Sequence, residues 1–233
     1  MNEKTKNILS LCIAVFPINI AMVWYRLTQN VAFSPLDLIL FPLLFGGLSI
    51  LLILCLNKYF LKQKMSIFNE GISNVKKDLL ASFILTIIYF ALFFLERITL
   101  FPLLSQNTPV SSEIITAIQA FSQNPLLLIL WFGPVLWIGI ALFEELSRVF
   151  MLKCLWNLSE NKKWMVLVIL ITSVMIGVVH LYQGVYGIIT IALKSIIMCG
   201  YFYKFRRIGP LIISHALYDG IQFILLLIEI SSI

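Results

Sequence analysis

Seven apolar runs, each long enough to cross a hydrocarbon core of ~30 Å, constrain this chain more than any other feature. They lie at residues 8–25, 36–56, 79–95, 125–148, 164–181, 185–203 and 208–230. In lipid, backbone polar groups must be satisfied within the segment, so runs of this kind are expected to be helices. Composition closes off the soluble alternative. Charged residues make up 12% of the chain, hydrophobic ones 61%, and the mean hydropathy is +0.99. A soluble domain keeps about a quarter of its residues charged. The expected fold is an all-α polytopic transmembrane helix bundle of about seven spans, multi-pass in the cell membrane.

No long linker, internal repeat or low-complexity tract divides the chain, so one membrane domain is expected. Residues 1–124 supply its N-terminal helices and a surface loop, and residues 125–233 its polar-bearing helices. Residues 98–124 are less apolar, hold two prolines and are expected to form a short surface helix. The opening MNEKTKN resembles the start of a signal peptide. No small-residue cleavage site follows, so a retained first helix is expected. Cys12, Cys55, Cys154 and Cys199 all sit in apolar context without CxxC spacing and read as packing residues.

The net charge of +6 is spread in short clusters between the runs, a loop pattern with no indication of a nucleic-acid partner. With a cytoplasmic N-terminus and seven spans, fourteen lysines and arginines fall inside. Among them are Lys58 to Lys77, Arg148 to Lys163, and Lys204 to Arg207. Arg26 and Arg97 fall outside, and Lys194 lies within a span. That bias predicts a cytoplasmic N-terminus.

Charged side chains at bilayer depth cost about 2.5–3.5 kcal/mol each on insertion scales, so those present need a reason. They are Glu144, Glu145, Arg148, His180, Lys194, His215 and Asp219. Both histidines of the chain are among them. Arg148 stands four residues after Glu144 and three after Glu145, within helical reach of either. His215 and Asp219 share a face at the same four-residue spacing. Gly177 and Gly184 flank His180 and would let a neighbouring helix approach closely. Lys194 stands alone and is expected to snorkel or to cap a carbonyl, and Tyr182 and Gln183 are candidates to line a substrate path.

Depth along the helices is less accommodating. Glu144 and His180 stand ~22 Å and ~28 Å from the turn at 159–161, which tilting reconciles, but His215 lies only ~10 Å beyond Arg207.

In order along the chain, FEELSRVF, IGVVHLYQG and PLIISHALYDG resemble the three motifs of the CPBP family, the CAAX-protease and bacteriocin-processing (Abi-type) membrane proteins. Those motifs are EExxxR, FxxxH, and HxxxN or HxxxD. Two departures stand out: Arg148 follows the glutamate pair after two residues where the family has three, and Ile176 replaces the aromatic of the second motif. The resemblance implies an intramembrane glutamic endopeptidase acting on membrane-associated or lipidated peptides near the cytoplasmic face. Glu144 and His180 would then activate water, His215 and Asp219 would hold the oxyanion, and Glu145 with Arg148 would be a structural ion pair. A carboxylate in a low-dielectric site is a capable general base near neutral pH.

No cofactor is expected, although two His, two Glu and one Asp leave zinc open as an alternative. The expected partners are membrane lipid and a peptide or protein substrate. Two other readings compete: a non-catalytic scaffold or bacteriocin-immunity-type protein of the same fold, favoured by the arginine shift, and a proton-coupled transporter using the buried Glu and His. Against the transporter stands the lack of a repeat and a single Gly/Pro-interrupted stretch at 132–139.

Overall fold

A computed structural model describes residues 1–28, 34–62, 74–104 and 112–231, nearly all of them helical and none in a strand. Seven helices are long and apolar enough to cross a membrane: α1 Glu3–Tyr25, α2 Asp37–Phe60, α3 Val75–Thr99, α4 Pro125–Trp156, α5 Lys162–Val179, α6 Leu181–Phe205 and α7 Gly209–Glu229. Each coincides with one expected run.

Asparagine starts four of them. The side chains of Asn2, Asn74, Asn124 and Asn161 accept hydrogen bonds from first-turn amides that have no partner inside the helix. Pro125, the first helical residue of α4, needs no such partner. Pro17 lacks the amide that would continue the first helix, and α1 breaks at Val15.

Between α3 and α4 run two short helices, Phe101–Leu104 and Ser112–Ser122. The stretch 105–111, with Pro109, lies outside the described residues. Ser112–Ser122 is not a free surface helix. Ile118 and Phe121 are buried, and the Phe121 ring meets Phe223 of α7 edge-on at 5.8 Å.

The bundle is organised around α4, whose residues Glu145–Cys154 are buried without a break. Arg148 and Lys153 belong to that buried stretch rather than to the basic loop expected there. A core cluster gathers round it, with Leu146, Phe150 and Leu152 of α4 against Leu11, Leu85, Val168, Phe202 and Leu211 of other helices. Arg207, at the α6–α7 turn, pairs with Asp78 at the start of α3 and ties that end of the bundle together.

The N-terminal half of α4 is different. Trp131–Leu142 forms wide π-type turns, and Gly133 leaves helical geometry at ψ −109°, just before Pro134. This is the Gly/Pro-interrupted stretch of the sequence, and wide turns of this kind recur at functional sites. Gly139 there meets α2 backbone to backbone: a Cβ on it would fall 2.9 Å from the Pro42 carbonyl carbon.

Candidate active site

Glu144 and Glu145 open the regular part of α4 and, being adjacent, point about 100° apart around the helix. Glu145 is fully buried at 0% exposure, and its Oε1 accepts from Arg148 Nη1 one turn further on. Both glutamates were within reach of the arginine in sequence, and the shifted Arg148 takes the second. Arg148 in turn donates from Nε to Ser195 Oγ of α6 at 3.1 Å and lies against the Met198 sulfur. It is anchored on two helices.

The same Glu145 Oε1 lies 2.7 Å from His215 Nδ1 on α7. An oxygen already accepting from arginine serves a second partner as acceptor, so Nδ1 carries the proton of that bond. Nε2 then faces the other way, 3.3 Å from Asp219 Oδ2 and 3.8 Å from Glu144 Oε2. Glu144 and Asp219 are the open carboxylates, with side chains 24% and 29% exposed.

The shortfall in depth expected for His215 disappears because the α6–α7 turn does not lie at the level of the α4–α5 turn. Arg206, in the left-handed conformation that ends α6, sets its guanidinium 3.9 Å over the Trp156 ring at the end of α4. Counted from that shared level, Glu145 is ~16 Å up α4 and His215 ~14 Å up α7, close enough for contact.

His180 caps α5 and is buried, with Nδ1 2.9 Å from the Ile176 carbonyl. A carbonyl only accepts, so Nδ1 donates, and in the neutral ring Nε2 is left as an acceptor. Gly177 makes the close approach foreseen for it, since a Cβ there would lie 2.5 Å from the Ile188 carbonyl oxygen of α6. Gly184 does something else: with φ 75° it turns the chain from the short 3-10 segment Leu181–Gln183 into the rest of α6, a conformation natural to glycine.

Four of these side chains meet at one cavity of about 360 Å³, lined by residues of α1, α2, α3, α4, α6 and α7 and by His180 at the end of α5. Glu144, His180, His215 and Asp219 line it, and so do Tyr182 and Gln183. Glu144 and His180 also share a smaller recess beside Ser147. A groove between α3 and α7, lined by Phe93, Phe94, Trp131 and Phe223 and also by Arg97 and Glu229, meets the cavity at Asp219 and Gln222.

One pair escaped the sequence reading. Lys194 neither snorkels nor caps a carbonyl; its Nζ lies 3.0 Å from Glu96 Oε2 of α3. Glu96 sits one residue beyond the expected end of its run, whereas α3 continues to Thr99. The available signal was that two lone charges at membrane depth tend to find each other.

Among the described residues, no group of three or more His, Cys, Asp or Glu side chains is disposed to hold a metal ion.

The model of the Rce1-like family, described as "Type II CAAX prenyl endopeptidase Rce1-like", matches residues 125–221. Over those residues the chain is similar to that family. The matched stretch holds all three motifs and the three carboxylates paired with His215, in agreement with the resemblance to CPBP proteins. No curated protein and no solved structure matches the chain.

Proposed function

We propose that this chain is an intramembrane endopeptidase that hydrolyses membrane-associated or lipidated peptides with water activated by Glu144 and His180. The observation that carries the reading is the convergence of Glu144, His180, His215 and Asp219 on one cavity inside an Rce1-like bundle. Glu144 is the carboxylate left open to the cavity, whereas Glu145 is committed to Arg148 and His215.

In this mechanism a water held between Glu144 and His180 Nε2 attacks the scissile carbonyl carbon. Glu144 takes the proton as the C–O bond forms. The oxyanion is met by His215 through Nε2–H, with Asp219 holding that ring from the side and Glu145 from behind. This role needs both ring nitrogens of His215 protonated. Collapse breaks the C–N bond, Glu144 returns its proton to the leaving amine, and a new carboxylate and a new amine leave. The groove between α3 and α7, with its aromatic and leucine wall, offers a path for a lipid-bearing substrate to reach the cavity from the side.

The approach side follows from charge. The outer part of the cavity is formed by the C-terminal ends of α1 and α3, the start of α2 and the α5–α6 turn, all at one end of the bundle, and its floor by mid-span residues of α4, α6 and α7. Lysines and arginines concentrate at the other end. A cytoplasmic N-terminus therefore opens the mouth of the cavity away from the cytoplasmic face, while Glu144 and His215 stand about mid-way along the bundle. We favour the charge rule, which turns the cavity toward the non-cytoplasmic side. Membrane-impermeant maleimide on intact cells tests this: Gln183→Cys should react and Lys162→Cys should not, in a background freed of Cys12 and Cys55. The reverse pattern would restore the cytoplasmic face.

Activity is tested with detergent-purified protein and a library of fluorogenic lipid-modified peptides, with and without a strong chelator. Cleavage that resists chelator and is lost in both Glu144→Gln and His180→Ala is expected. Loss to chelator would transfer the reaction to a metal, and silence of the wild type over the library would favour the non-catalytic scaffold.

A further inference from the structure

We propose that Ser147 is the third hold on the attacking water, a hydroxyl set behind it that aims its free lone pair at the substrate. The proposal rests on the peptidase reading for what the water does, though the water site itself can be observed without turnover.

Ser147 departs from the habit of helical serines. Inside a helix, a serine or threonine hydroxyl can donate back to the carbonyl one turn earlier. Ser82, Thr86 and Thr99 of α3 all do so, to the carbonyls of Asp78, Ser82 and Leu95. Ser147 has the Phe143 carbonyl in that place, yet among the described residues its Oγ has no hydrogen-bond partner. The residue is 2% exposed, so bulk solvent does not provide one. A buried hydroxyl left without a bond is costly. Ser10, Ser49 and Thr172 share that condition, but Ser147 is the one that borders the recess of Glu144 and His180.

That recess suits a single water in size and polarity. Its volume is about 20 Å³. One water needs about 10–15 Å³ and two to four polar partners. Met22, Phe143, Ile176 and Val179 make its apolar walls, and Asn19, Glu144, Ser147 and His180 its polar ones. The polar groups divide by role. The Glu144 carboxylate and His180 Nε2 accept. Among the donors, His180 Nδ1 is committed to the Ile176 carbonyl, and Asn19 Nδ2 already donates to the Val15 carbonyl at 2.7 Å. The Ser147 hydroxyl is uncommitted.

A water has two hydrogens and two lone pairs. Its hydrogens go to Glu144 and His180, and Ser147 donates to one lone pair. The other lone pair is left to form the new C–O bond. Placement sets its direction. Phe143, Glu144 and His180 border both the recess and the main cavity, whereas Ser147 borders the recess and is not part of the cavity wall. The hydroxyl therefore stands on the far side of the water from the substrate, and the remaining lone pair points into the cavity. A third contact also stops the rotation that two would allow, which matters because attack requires alignment. Ser147 keeps its own proton throughout, and Glu144 takes the one that the water loses.

The test is Ser147→Ala, with Ser10→Ala as its control, in cleavage of a fluorogenic lipid-modified peptide. In Ser147→Ala, kcat should fall about tenfold with KM unchanged, the scale of one hydrogen bond. Ser10→Ala removes another buried hydroxyl without a partner among the described residues and should leave kcat where it was. A map of the wild-type protein fine enough to show ordered water reads the site without turnover. A water should lie about 2.8 Å from Ser147 Oγ and touch both Glu144 and His180 Nε2. An unchanged kcat in Ser147→Ala, a loss that appears in KM instead, an equal loss in Ser10→Ala, or no water on Ser147 would each overturn the proposal. The two ideas separate cleanly. A water on Ser147, Glu144 and His180 in a protein that cleaves no peptide would sink the peptidase reading and leave the water site standing. Wild-type cleavage matched in full by Ser147→Ala would do the opposite.

Discussion

The two halves of α4 make different uses of the same apolar sequence. From Glu145 to Cys154 the helix is buried on every side, and its one arginine and one glutamate are locked together and onto α6 and α7. From Trp131 to Leu142 it is wound in wide turns, and Gly139, Ile140, Phe143 and Glu144 contribute to the wall of a cavity. The adjacent glutamates fall on either side of this boundary. Glu145 belongs to the packed half and Glu144 to the open one. A dense base can fix a few polar groups at low tolerance, while the looser half leaves room for a substrate beside them.

The largest effect should come from breaking the base. Arg148→Leu leaves the fully buried Glu145 carboxylate with only His215 for company. Removing one partner of a buried pair costs about 3–5 kcal/mol. Thermal unfolding in detergent should show a large drop in midpoint, and much of it should return in Glu145→Gln/Arg148→Leu, where no lone charge remains. A midpoint unchanged in the single variant would mean that α4 is not held as its contacts imply.

Glu144→Gln probes the other side of the boundary and should separate stability from activity. Its side chain keeps 24% exposure and its ion-pair partner His215 Nε2 is 3.8 Å away, so the unfolding midpoint should hardly move. Peptide cleavage should fall by about 10²–10⁴, the usual scale for general acid–base work. Glu145→Gln should reverse the order, losing stability first. If the two variants behaved alike, the division between Glu144 and Glu145 would fail. His180→Ala comes next. It should lose cleavage by about 10²-fold and, through the lost bond to the Ile176 carbonyl, about 1 kcal/mol of stability.

Much of this arrangement was legible in the sequence, because both the apolar run length and the rarity of polar residues within runs follow directly from the cost of lipid burial. The seven helices and the gathering of Glu144, His180, His215 and Asp219 come from that. What stayed hidden was relative depth and angle. His215 reaches Glu145 because the Arg206 turn stacks on Trp156, a contact between residues 50 apart that no spacing encodes. Arg148 was within reach of either glutamate, and the choice was made by Ser195 and His215 on other helices. Glu96 was hidden for a simpler reason: a hydropathy window ends at the first charge, whereas the helix and its partner do not.

The smallest effect, and the most local test of the open half, sits in two neighbouring glycines of α2. A Cβ on Gly46 would fall 2.7 Å from the Gly139 carbonyl oxygen, backbone against backbone, where neither helix can yield without moving the cavity wall. At Gly47 nothing lies within 4 Å. Gly46→Ala should therefore cost about 1–3 kcal/mol, as overpacking does, and should raise KM because both Gly46 and Gly139 line the cavity. Gly47→Ala adds the same methyl group to the same helix and should be neutral or stabilising by up to about 1 kcal/mol, since alanine favours helix over glycine. Unfolding midpoints of the two variants, measured side by side, read the contact directly. Equal midpoints would mean that α2 and α4 do not touch at these residues, and the cavity would then lose the part of its wall that Gly46 and Gly139 form.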